Sequence, residues 1–185
     1  MEYSIKPEEH ELREAKKVVQ GVLAGCKTVL EKEEDLQIQI GWDRDIYSCA
    51  EENKLYIEFN TENEEWKKKL KTATAYGYAH SLFDELSPAE QRFNWQRSLR
   101  NGFGLIFLDK VLPEIAEEKT GETDSYKISD WTETKELMNQ EIGEKEIPWQ
   151  LNYLIGRKLQ QKHELKEIPE LKRSDVIEAG EEQFQ

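Results

Sequence analysis

Apolar residues recur at spacings of three and four from Leu12 through Ala15, Val18, Val19, Val22, Leu23, Cys26 and Val29 to Leu30. That period predicts a helix over residues 8–30 with one buried stripe. Pro7 suits its first turn, and Glu8 and Glu9 complement the dipole there. The period then changes to two. Leu36, Ile38 and Ile40 alternate with Gln37 and Gln39, as a half-buried strand does. Residues 45–50 form a less regular second strand, with a turn at 51–53. Residues 54–60 form a third, with Leu55, Ile57 and Phe59 on one face and Tyr56 and Glu58 on the other. A strand with one polar face suits the edge of a sheet. Helical spacing returns over residues 63–86, where Trp66, Leu70, Ala73, Gly77 and His80 fall on one stripe.

Farther along, Ser87-Pro88-Ala89-Glu90 has the form of a capping box with proline at the first helical position, so a helix is expected to start there. Gly102 and Gly104 interrupt the pattern before Leu105-Ile106-Phe107-Leu108 resumes it toward Pro113. A polar loop is expected over residues 121–130 and a short helix over 130–140. A longer helix opened by Pro148 follows over 149–163, then a last short one over 174–178. Residues 180–185 are expected to fray.

A chain of 185 residues predicts a single domain, 1–185, able to bury a sizeable core. The formal net charge is -13. That field repels nucleic-acid phosphate and anionic lipid, and it favours basic or neutral partners. The two cysteines, Cys26 and Cys49, are not in a C-x-x-C spacing and are expected to be reduced thiols. No apolar run approaches the roughly 20 residues of a membrane span, and the first residues carry no apolar signal core. These features predict a cytoplasmic chain with no membrane partner.

Residues 76–80 read Tyr-Gly-Tyr-Ala-His. The H-E-x-x-H motif sets two imidazoles one helical turn apart, with a general-base Glu beside the first. His80 stands at the second histidine position; Tyr76 and Gly77 stand at the first histidine and the Glu. Ahead of them runs the strand Leu-Tyr-Ile-Glu-Phe-Asn, and after them Asn-Gly-Phe-Gly-Leu-Ile at 101–106. In this order of elements the chain resembles a family of predicted zinc-dependent proteases of the zincin type, over residues 36–165. The resemblance implies an α+β fold, a small zincin-like domain whose short mixed sheet packs with several helices. It implies a third zinc ligand, a Glu, where Phe103 stands. The aromatic-rich late helix of the family matches the stretch with Tyr153 and Gly156.

Three protein ligands plus water are the usual catalytic zinc set. From this pattern the chain offers His80, with Asp84 one turn later as the remaining metal-ligating candidate. A lone imidazole on an apolar stripe ordinarily serves as a hydrogen-bonded core residue, here with Asp84 as its orienting partner. Gly77 has no side chain to take a proton from a metal-bound water. The expectation is therefore a non-catalytic relative of a zinc protease, without zinc or other cofactor, that acts by binding. Strand addition along Leu55, Tyr56, Ile57, Glu58 and Phe59 would recruit an extended basic peptide or protein. Two alternatives stand beside it: an active hydrolase with an altered metal site around His80, and an acidic scaffold or inhibitor unrelated to zincins. Gly102-Phe103-Gly104 lacks the preceding strand and third glycine of a dinucleotide loop.

Overall fold

The computed structural model describes residues 7–30, 36–43, 45–51, 54–87, 90–120 and 128–184. The fold is α+β, the expected class. Helix α1 spans Glu9–Leu30, and three strands follow: β1 (Gln37–Trp42), β2 (Tyr47–Glu51) and β3 (Lys54–Phe59). The rest is helical: α2 (Trp66–Leu86), α3 (Asn94–Val111), α4 (Pro113–Thr120), α5 (Ile128–Met138), α6 (Trp149–Lys162) and α7 (Arg173–Phe184). A 3-10 helix, Leu165–Glu170, links the last two. The chain divides into two compact units, the first ending at Ser81 and the second beginning at Leu82, so the boundary falls within α2. The length alone had pointed to one domain.

In the first unit the strands form a mixed sheet in the order β1-β3-β2. β1 runs parallel to β3, with Gln37 opposite Lys54 and Trp42 opposite Phe59. β2 runs antiparallel to β3, with Tyr47 opposite Glu58 and Cys49 opposite Tyr56. Leu55, Ile57 and Phe59 are fully buried. On α1 the inward stripe is Ala15, Val19, Val22 and Cys26, the predicted period narrowed to its centre. Phe59 holds an edge-on contact with Trp42 at 5.2 Å and a tilted one with Trp66 at 6.3 Å. α2 begins three residues later than the periodicity suggests. Asn60 and Asn63 accept hydrogen bonds from the amides of Glu62 (2.7 Å) and Glu65 (2.8 Å), so those residues turn rather than coil.

The second unit is helical. α3 begins at Asn94, and Glu90, Gln91 and Arg92 are not helical; Pro88 and Ala89 lie outside the described residues. The start is set from afar. The Asn94 amide donates to the Gln140 carbonyl (3.0 Å) and the Ile142 amide to the Arg92 carbonyl (2.9 Å). The Gln96 side chain accepts from the amides of Arg92 (2.7 Å) and Phe93 (2.9 Å). Gly102 and Gly104 do not break α3. A Cβ on Gly102 would lie 2.8 Å from the Asn152 carbonyl oxygen and 3.5 Å from the Gly156 Cα, so α3 and α6 cross there at backbone distance. The crossing is keyed by buried Ser98, whose hydroxyl donates to Asn152 Oδ1 at 2.5 Å.

The expected frayed end is also a helix. α7 continues through Phe184, which is buried and stacks on Trp131 with ring centroids 5.9 Å apart. Gly180 lies beneath the Trp131 indole, where a Cβ has no room. Lys162 pairs with Glu178 (2.9 Å) and Glu182 (2.5 Å), and Lys135 pairs with Glu181. The predicted loop at 121–130 lies mostly outside the described residues, and α5 is already formed at Ile128. The turn expected at 51–53 has Glu52 and Asn53 outside them.

Candidate functional site

The motif residues Tyr76, Gly77 and His80 lie on α2 in the first unit. From Thr74 to Phe83 this helix is buried on nearly all sides, with only Tyr76 and His80 half-exposed as residues. The i, i+4 spacing brings Tyr76 and His80 together as rings, with centroids 4.2 Å apart and planes tilted by 54°. The Nε2 of His80 is shut away from solvent.

Gly77 is the point where α2 closes on the sheet. A Cβ there would lie 2.7 Å from Ser48 Cβ and 2.8 Å from Leu55 Cδ1. The Ser48 hydroxyl in turn donates to the Ala73 carbonyl at 2.6 Å, one turn earlier on the same helix. The sequence placed Gly77 and His80 on a single stripe. In the structure the glycine faces β2 and β3, and its missing side chain is what the approach requires.

Asp84 and Phe103 belong to the second unit. Asp84 is held by Arg100 of α3, which donates to both its oxygens, Nε to Oδ1 at 2.7 Å and Nη2 to Oδ2 at 2.6 Å. The Gln91 side-chain Nε2 donates a third hydrogen bond, to Oδ1, at 3.2 Å. A bidentate guanidinium satisfies the carboxylate in the geometry it prefers. Phe103, where the resemblance implies a third zinc ligand, is 0% exposed. It sits between Phe83 (5.6 Å, edge-on) and Phe107 (6.1 Å, tilted) in a row of aromatic rings. Among the described residues no three His, Cys, Asp or Glu side chains converge as a metal site would need. The residues present do not fit a catalytic zinc.

The proposed peptide-binding edge is corrected by the sheet order. β3, with Leu55, Tyr56, Ile57, Glu58 and Phe59, is the central strand and pairs on both sides. Its backbone donors and acceptors are already used. Alternation in the sequence reports which side chains face the core, and a central strand with one solvated face alternates just as an edge strand does.

The sheet's outer edges among the described residues are β1 and β2. Tyr47 and Cys49 on β2 are exposed, and Tyr56 and Glu58 of β3 stand beside them on the same face. Tyr47 is 45% exposed, one of two large apolar side chains so open among the described residues. Glu58 lies across Gly41 of β1, where a side chain would collide with its carboxyl group. Partial burial, and then the charge of Asp43, push the Glu58 carboxyl up from its ordinary pKa. Burial, then Glu58 and Asp43, push the Tyr47 hydroxyl up as well. Tyr56 and Glu58 belong to the expected edge, whereas Asp43 and Tyr47 join them from other segments, a proximity that no spacing along the chain signals.

No family model matches the chain, and no curated protein or solved structure matches it. Among the described residues no helix is long and apolar enough to cross a membrane.

Proposed function

We propose that this chain is a non-catalytic relative of the zincin-type proteases that binds an extended, lysine- or arginine-bearing protein segment along the β2 edge. The observation that carries this reading is the juxtaposition of exposed Tyr47 with Glu58 and Asp43 beside that edge. A strand added next to β2 would satisfy its outward backbone groups. A cationic side chain on that strand would lie over the Tyr47 ring and offset the carboxylate charge. The net charge of -13 steers such a segment in. The two free thiols, Cys26 and Cys49, accord with a reducing compartment such as the cytoplasm.

Cys49 supplies the probe. It is exposed on β2, whereas Cys26 is buried and its thiol is pushed up to about 12 by desolvation. At neutral pH a thiol-reactive dye therefore labels Cys49. The labelled protein is titrated with extended peptides that alternate Lys or Arg with Thr, and with the same peptides carrying Glu in place of the base. Binding of the basic set is expected, weakening as salt rises because exposed charges are screened beyond about 10 Å at 0.1 M. Tyr47→Ala is expected to weaken it by about threefold or more, the size of an exposed cation–π contact. Equal binding of the acidic set, indifference to Tyr47→Ala, or no binding of either set would overturn the proposal.

A further inference from the structure

We infer that the positions at which a zincin holds its zinc and its general base have become packing and ion-pair positions here, so that restoring the motif residues does not restore a metal site. This inference is independent of what the β2 edge binds.

Each position has a specific new task. At Gly77 any side chain starts with a Cβ that would press on Ser48 and Leu55. Neither can yield cheaply: Leu55 is fully buried in the central strand, and Ser48 is tied to the α2 backbone. A general-base Glu therefore cannot be installed without lifting α2 off the sheet. At Phe103 a ligand carboxylate would replace a fully buried ring between Phe83 and Phe107. Charge is strongly disfavoured among such neighbours, so the group would stay protonated or unfold its surroundings. Asp84, the remaining acidic candidate on α2, is neutralised by the Arg100 fork. Only Tyr76, half-exposed on its face, sits where an imidazole could stand beside His80. Two ligands one turn apart are one short of the usual three.

Thermal unfolding tests this without reference to activity. The native protein is melted in chelator and in a moderate excess of zinc, and the two Tm values are expected to coincide. Zinc held about 100-fold above its Kd by a real site would raise Tm by roughly 5–10 °C. Such a rise, lost in His80→Ala, would overturn the inference. The second arm is the triple variant Tyr76→His, Gly77→Glu, Phe103→Glu, with Tyr76→His alone as its folded companion. The triple variant is expected to lose cooperative unfolding, or to fold without any zinc-dependent rise in Tm; either result supports conversion to packing. A folded triple variant whose Tm climbs with zinc, and no longer does so after His80→Ala, would show that the zinc geometry survives and would sink the inference.

Discussion

Glu58 shows how a single residue carries a cost that the fold tolerates. Its carboxyl is disfavoured as an anion by partial burial and by Asp43, so its pKa is raised in the folded protein. The linkage follows from the sign. A raised acid favours the folded state below the unfolded pKa, and that advantage is lost as pH rises through the folded pKa. Glu58→Gln is therefore expected to raise Tm at pH 7. The gain should shrink on acidification and vanish below about pH 4, where the carboxyl is protonated in both states. Melting curves of the two proteins from pH 3.5 to 7.5 check this, and a pH-independent difference would contradict it.

At the scale of elements, glycine has two opposite meanings in this chain. Gly102 lies mid-helix in α3, where glycine costs about 1 kcal/mol relative to alanine. Yet an alanine methyl there would press on the Asn152 carbonyl oxygen at 2.8 Å, and neither backbone can move without opening the α3–α6 crossing. Gly102→Ala should therefore destabilise by about 1–3 kcal/mol, as overpacking of a close contact does. Gly21 in α1 is exposed and has nothing within 4 Å of its added Cβ. There the helix propensity acts alone, and Gly21→Ala should stabilise by roughly 0.5–1 kcal/mol. Denaturant melts of both variants provide the comparison. Equal signs would mean that the α3–α6 approach is looser than these distances.

For the whole molecule, the excess of 39 acidic over 26 basic residues, a net charge of -13, dominates behaviour in solution. Among the described residues the ion pairs are mostly solvent-exposed, as in Arg13–Glu9, Arg92–Glu141 and Lys166–Glu164, and such pairs contribute little each. Self-repulsion among the surplus carboxylates is screened by the same salt that weakens those pairs, and it involves more charges. Raising ionic strength from about 10 mM to 300 mM, which shortens the screening length from roughly 30 Å to under 10 Å, is expected to raise Tm. A fall in Tm would mean that the exposed pairs outweigh the repulsion.

What the sequence determined by itself is what local periodicity can carry. α1, α6 and the three strands lie where spacings of three to four or of two place them, because the side chains facing the core repeat with the backbone geometry. The run from Tyr76 to His80 was likewise legible as part of a helix. Only the tertiary structure decided which strand is central, since alternation reports faces and not neighbours. It moved the start of α3 to Asn94, because the partners of that turn lie at residues 140–142. It kept α3 continuous through Gly102 and carried α7 on to Phe184, because Gly156 and Trp131, distant in sequence, reward glycine at those points. The tasks of Gly77, Asp84 and Phe103 were also beyond the sequence. Each is defined by a neighbour on another element, Leu55, Arg100 and Phe83 respectively, and no spacing along the chain encodes that proximity.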